Sequence, residues 1–433
     1  MIRRRQFLKN ASLSALLGSV AGTSAIGKPA AGQARSTVAV PPLPRADDPQ
    51  YWAKLRDQFF LARDKVFFNN GTIGAMPKVV VERVVEHLQK MATDLADWDY
   101  KEGAEWISGY GPLPDFRAKA ARLVNADVTE VALTENVTEA MSSVANGLDL
   151  RGGSEVIITD QEHPGGQSPW LLAQKRRDVV VKTVPIPKPA HNPEEVIDSI
   201  TAAITPKTKV IAISHIVSGS GAILPVKEIA ARAREREIFT VFDGAHALGQ
   251  MAVDVKDIGC DAYVSCFHKW LLGPAGTGFL YVRDGAANRV WTTLASSQWD
   301  NHDDNGYRLM QRGTGSLSLL MGMEAALDFH YALTPDRVHQ RIKYLGDYLR
   351  DGLSRIRGIK FYSPSDPAMC AGITVYNLDG FTGARLQDEL WVRGRLRPRS
   401  VGDVYGLRHS THIYNSTDEI DRTLRILQNL SRA

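Results

Sequence analysis

Seven short runs rich in β-branched and aromatic residues, several of them separated by a helical stretch, constrain the fold of this chain more than any other feature. They fall at residues 131–134, 156–159, 179–184, 210–213, 240–242, 262–265 and 278–282. Helical patterns at 139–147, 167–176, 194–204 and 226–236 lie between several of them. Strands that alternate with helices are joined by crossovers, and crossovers leave neighbouring strands parallel. The runs are nearly continuous in apolar residues, as expected of strands covered on both faces. The pattern predicts an α/β fold built on a large, mostly parallel, seven-stranded sheet.

After about residue 315 the texture changes. Helical patterns at 318–331 and 337–357 lead into shorter β runs at 373–376 and 407–411 and a helix at 418–429. The expected organisation is a large domain over 66–315 and a smaller C-terminal α+β domain over 316–433, packed with the segment before residue 70. No internal repeat is visible.

The amino end reads as an address. Residues 1–34 hold Arg3, Arg4, Arg5, Lys9 and Lys28 and no acid, so these five charges account for the formal +4 of the chain and the remainder carries −1. Arg4-Arg5, followed by Phe7-Leu8-Lys9, matches a twin-arginine export signal. The weakly apolar run at 11–26 is too short and too rich in Gly, Ala and Ser to span a bilayer, which takes ~20 apolar residues. Small residues at Thr23-Ser24-Ala25 and at Gly32-Gln33-Ala34 both suit cleavage; the later one is favoured and leaves residues 35–65 as a linker and N-terminal segment, with Pro41-Pro42-Leu43-Pro44 extended. The expectation is a periplasmic protein carried by the twin-arginine translocase, with no stable membrane insertion. A near-neutral body argues against a nucleic-acid partner, which needs clustered Lys and Arg. Cys260, Cys266 and Cys370 form no CxxC element, so neither a disulfide framework nor a metal site is expected.

The chemistry concentrates in two strand ends. Asp243 closes the apolar run Val241-Phe242, with His246 just beyond it. Another run ends in Cys266-Phe267-His268-Lys269-Trp270 and leads into Gly273-Pro274-Ala275-Gly276-Thr277-Gly278. An acid and a lysine at the carboxyl ends of two strands suit pyridoxal phosphate: the amine takes the aldehyde, and the acid pairs with the protonated ring nitrogen.

With these residues the chain resembles the class V branch of fold type I pyridoxal phosphate enzymes over most of residues 66–429, and within it the isopenicillin N epimerase-like group. The resemblance implies that Lys269 carries the cofactor, that Asp243 holds its ring nitrogen and that His246 donates to its phenolic oxygen. It implies that the Thr134-Glu135-Asn136-Val137-Thr138 turn cradles the phosphate through the amides of Val137 and Thr138 and the Thr138 hydroxyl, with His268 as a further contact. His163, in Glu162-His163-Pro164, would stack over the ring and serve proton transfer. Ser218 falls where desulfurases carry Asn near the phenolic oxygen. Arg408 would clamp the substrate carboxylate. The pocket is expected to include Asn69-Asn70-Gly71, with Asn70 as a substrate contact, and Trp98-Asp99-Tyr100, whose aromatics read equally well as core packing. Thr314, in Arg312-Gly313-Thr314, would reach the phosphate of a neighbouring subunit, which makes the active unit a homodimer. Arg393, Arg395, Arg397 and Arg399 form either a solvated basic loop or a receiver for a second acidic group.

Departures from the family set the expected subclass. Residues 391–405, where a desulfurase keeps its mobile thiol, contain no Cys, so cysteine desulfuration is disfavoured. What the resemblance implies instead is a periplasmic enzyme acting on the α-amino group or α-carbon of an amino acid or peptide-linked amine, similar to the exported enzymes that tailor the glutamate of pyoverdine siderophores. A C–S lyase or a small amino-acid epimerase is the alternative; a non-catalytic binding protein of the same fold is another, opposed by the intact Lys269 and Asp243. Transamination, decarboxylation, epimerisation and elimination all remain open at this level.

Overall fold

The computed structural model describes residues 47–97 and 111–432. The export signal, the Pro41–Pro44 stretch and Trp98-Asp99-Tyr100 lie outside the described residues.

After a short strand β1 (Val66–Phe67), all seven predicted runs become strands of one sheet: β2 (Val131–Thr134), β3 (Glu155–Thr159), β4 (Val180–Val184), β5 (Thr208–Ser214), β6 (Phe239–Asp243), β7 (Ala262–Cys266) and β8 (Gly278–Val282). Their order across the sheet is β2-β8-β7-β6-β5-β3-β4. The pairings among β3 to β7 are parallel, and β8 runs antiparallel to both of its neighbours. Alternate residues of each central strand face opposite ways. Val241 and Val264 join a cluster with Met141, Val144 and Trp170 on one side, while Phe242 and Tyr263 join Val196, Ile200 and Ile229 on the other. Two buried faces explain why these strands read as continuous apolar runs.

Two helices start two or three residues before the apolar pattern begins, because caps set them. Asn136 accepts from the Glu139 amide at 3.0 Å and starts Val137–Gly147. His163 caps Pro164–Arg177, whose first turn of Pro and Gly carries no apolar period.

The C-terminal region carries a second, four-stranded sheet in the order β12-β13-β10-β9, with β9 (Ile359–Phe361), β10 (Ile373–Leu378), β12 (Arg399–Ser400) and β13 (Leu407–Ser410). Helices Pro335–Ser354, Gly383–Gly394 and Thr417–Leu430 bury Leu345, Leu349, Leu386, Leu390, Ile420 and Leu427 in a core with Tyr376 and Leu407. The segment before residue 70 packs with this region as expected: β1 pairs in parallel with β11 (Leu396–Arg397), and the Ser410 amide donates to Phe68 O at 2.7 Å. No helix among the described residues is long and apolar enough to cross a membrane.

Asp243 leaves β6 into a turn that depends on Gly244. A Cβ there would clash with the ring of Tyr263, which is fully buried and held through its hydroxyl by His215 at 2.9 Å. Gly244→Ala is expected to destabilise the protein by about 1–3 kcal/mol, read as a lowered midpoint of denaturant unfolding; an unchanged midpoint would show that the turn tolerates a side chain.

Candidate active site

The carboxyl ends of β5, β6 and β7 open into a cavity of about 200 Å³. Its wall includes Asp243, His246, Lys269, His268 and His163, together with Asn136, Val137 and Thr138 at the start of helix Val137–Gly147. Residues that the sequence places far apart thus meet at the edge where open α/β sheets bind their ligands.

Asp243 is buried, and its side chain takes one hydrogen bond, on Oδ1 from the Ala245 amide at 2.9 Å. Burial raises its pKa, opposed by the Lys269 charge. Asp243 lines the cavity, its Oδ2 takes no hydrogen bond among the described residues, and a Cβ on the neighbouring Gly166 would come within 3.1 Å of it. Lys269 does not pair with Asp243. Its Nζ lies 3.2 Å from His246 Nε2, and no carboxylate of the described residues forms an ion pair with it.

His246 is held neutral, its pKa pushed well below the ordinary value by burial and then by the Lys269 and Arg408 charges. The Trp270 indole N–H donates to His246 Nδ1 at 3.3 Å. An indole nitrogen can only donate, so Nδ1 accepts and the ring proton sits on Nε2. Trp270 therefore fixes the ring proton on Nε2, beside Lys269 Nζ; an ammonium offers no acceptor, so Nε2–H donates to the lysine only as its neutral amine. His268 is lowered to about 4 by desolvation and Lys269, and its Nδ1 is buried without a partner. His163 accepts on Nδ1 from the Gly165 amide at 3.1 Å and is lowered by desolvation at the cavity wall and by Lys269.

The cap of helix Val137–Gly147 leaves the amides of Val137 and Thr138 at the cavity, a site that favours an anion. Arg312 braces this turn rather than the cavity: it donates to Leu133 O and pairs with Glu139 at 3.2 Å. Thr314 is exposed on the same loop and does not reach the cavity of its own chain.

Two expected substrate contacts sit behind the wall. Asn70 is fully buried, with its Nδ2 donating to Lys269 O at 3.3 Å and its Oδ1 accepting from the Tyr414 hydroxyl at 2.8 Å. It holds the lysine backbone in place of lining the pocket. Arg408 is also buried and donates to Ser218 Oγ at 2.9 Å, Ser218 O at 3.2 Å, Asn69 Oδ1 at 3.2 Å and Thr72 Oγ1 at 3.0 Å. Its Nε has no partner, and burial together with Arg399 lowers its pKa to about 9. The Ser218 hydroxyl, expected near a phenolic oxygen, is engaged by Arg408 from the cavity rim. Thr72 and Trp270 carry no motif that would single them out in sequence; both act through partners far along the chain.

Pyridoxal phosphate fits this donor set. Lys269 is available to its aldehyde, Asp243 Oδ2 to its ring nitrogen, and the open helix start to its phosphate. None of the three cysteines offers a thiolate: burial pushes Cys266, in the cavity wall, up to about 11, and raises Cys260 and Cys370.

A family model described as aminotransferase class-V matches residues 66–423. The chain is similar to the isopenicillin N epimerase of Streptomyces clavuligerus, with 30% identity over 399 residues, 88% of this chain and 98% of that one. It is 27% identical over 383 residues to a probable cysteine desulfurase of Methanothermobacter thermautotrophicus, covering 83% of this chain and 93% of the other. Among solved structures, a C-DES variant with glycine covalently linked to its pyridoxal phosphate cofactor superposes with a TM-score of 0.76 at 23% identity, over 86% of this chain and 99% of that one. The shared architecture is fold type I.

Glu162 adds a pH signature. Its carboxyl accepts from Thr159 Oγ1 and Ser214 Oγ, both at 2.6 Å, yet burial still pushes its pKa up to about 7. An unfolded glutamate titrates near ~4.3. The stabilising contribution of the retained proton is whole below that value and is lost as pH rises through about 7. The apoprotein is expected to lose thermal stability from about pH 5 to about pH 8, and Glu162→Gln to flatten that part of the profile; an identical slope in the variant would contradict the assignment.

Proposed function

This chain belongs to the class V aminotransferase family, and from that premise we propose that it is a pyridoxal phosphate enzyme acting on the α-amino group or α-carbon of an amino-acid unit. The observation that carries this reading is the buried Asp243 and the cavity-lining Lys269, whose charge opposes the burial-driven rise in the Asp243 pKa although the two are not paired. Each has a free end toward one cavity, and a group accommodated between them satisfies both.

Once bound, pyridoxal phosphate supplies an electron sink that weakens the bonds at a substrate's α-carbon. The residues of this chain do the rest. Asp243 keeps a proton on the ring nitrogen. Lys269 Nζ would be the base that removes or returns the α-proton. His246, in its Nε2–H form, supplies a fixed donor beside that amine. His163, neutral and at the wall, is placed to take part in proton transfer or to cover the ring. The positive side chain of Arg408 draws a carboxylate toward Thr72 and Ser218.

The similarity to isopenicillin N epimerases supports chemistry at the α-carbon. The high thiol pKa of Cys266 and the absence of Cys from residues 391–405 speak against persulfide formation, which needs a thiolate. A C–S lyase, which needs no catalytic thiol, is the second reading; release of pyruvate and a thiol from a sulfur amino acid, without amine transfer, would favour it.

The finer proposal joins address to chemistry. The Arg4-Arg5 signal supports export to the periplasm by the twin-arginine translocase after the cofactor has been loaded, and the Arg312–Thr314 loop supports a homodimer. The substrate proposed is the glutamate of a pyoverdine-type siderophore precursor, on the strength of that address and the epimerase-like sequence.

Two experiments test these readings. Holoenzyme incubated with ferribactin-like peptides is expected to change the mass of the glutamate unit, and Lys269→Ala to abolish both this change and the visible absorbance of bound cofactor; peptides left intact by the wild type overturn the siderophore assignment. Replacing Arg4 and Arg5 with Lys is expected to hold the protein in the cytosol, and unimpaired periplasmic recovery would contradict the export route.

A further inference from the structure

Arg399 and Arg408 stand directly opposite one another on the antiparallel strands β12 and β13. Like charges in that position destabilise a sheet. Both guanidinium groups lean on one hydroxyl: Arg399 Nη1 and Arg408 Nη2 donate to Thr72 Oγ1 at 3.1 and 3.0 Å, so these nitrogens lie within about 6 Å of each other. Thr72 in turn donates to Asn69 Oδ1 at 2.8 Å, which leaves its oxygen saturated. No carboxylate of the described residues pairs with either arginine, and the one acidic side chain in the cavity wall is Asp243. The charge of Asp243 is matched by the ring nitrogen on the reading above. Two cations thus remain without a counter-charge, Arg399 in the cavity wall and Arg408 buried behind it with an unpartnered Nε. Burial lowers the pKa of Arg408 first, and the charge of Arg399 adds to that lowering.

We propose that Arg399 reads a second anionic group on the substrate, so that the site takes amine substrates bearing two carboxylates, one drawn by Arg408 and the other by Arg399. This deepens the amino-acid reading and rests on it, not on the siderophore assignment, whose peptide-linked glutamate keeps one free carboxylate. Arg399 itself lines the cavity and is exposed on a two-residue edge strand, so its charge can be removed without disturbing a core. A neutral or monocarboxylic partner leaves one guanidinium uncompensated; a dicarboxylic one neutralises both.

The test uses holoenzyme and acids that lack an amine, so that binding is read without turnover. Titration with glutarate and with butyrate, followed by the cofactor's absorbance or by calorimetry, is expected to show at least a tenfold preference for glutarate. Arg399→Gln should weaken glutarate about tenfold and butyrate less than twofold, and Arg399→Lys should recover most of the loss. Equal weakening of both acids would mean that the two arginines share a single carboxylate, and equal affinities in the wild type would mean that no second anionic group is read; either overturns the proposal. Glutamate and alanine serve as a separate arm: if neither amine alters the cofactor spectrum, the amino-acid reading fails, while the glutarate and butyrate affinities still decide the role of Arg399.

Discussion

A buried carboxylate and a nearby lysine that do not touch are the constraint around which this molecule is arranged. Leaving an ionised group in a protein interior costs several kcal/mol unless it is paired and hydrogen-bonded. Asp243 receives one backbone hydrogen bond, and Lys269 faces a histidine nitrogen. The surrounding fold keeps them apart on purpose-built supports. β6 and β7, buried on both faces, fix the two strand ends, Gly244 lets the chain turn against Tyr263, and Asn70 with Tyr414 pins the Lys269 carbonyl. The arrangement is stable as a site for a third group, and poorly explained as a structural ion pair.

The same burial sets the protonation of everything around the lysine. His246 and His268 are pushed down by desolvation and by the neighbouring cation, Glu162 is pushed up, and Cys266 keeps its proton. Trp270 then decides which nitrogen of His246 carries hydrogen. The cavity presents neutral donors and acceptors beside a few localised charges, which is the electrostatic setting in which a single bound dipole or anion is strongly oriented.

Much of this was legible in the chain itself. Strands covered on both faces appear as uninterrupted apolar runs, so all seven are legible to within a residue or two, whereas the start of helix Pro164–Arg177 is masked by a first turn of Pro-Gly-Gly. Asp243 and Lys269 are legible because strand ends are local features, whereas the Asn136–Thr138 turn reads alone as a helix cap and takes its phosphate role from the family resemblance. Contacts between distant segments were not. Thr72 meets Arg408 from 336 residues away, and Trp270 reaches His246 from 24. Asn70 was placed near the substrate by its position in sequence, yet its amide points into the wall toward Tyr414, an orientation that only packing determines.

The central claim is that Asp243 serves a protonated ring nitrogen. Reconstitution with pyridoxal phosphate labelled with 15N in the ring, followed by nitrogen NMR at neutral pH, tests it most directly. The wild type is predicted to hold the nitrogen protonated and Asp243→Ala to leave it unprotonated. A nitrogen unprotonated in the wild type, or equally protonated in both, would contradict the account.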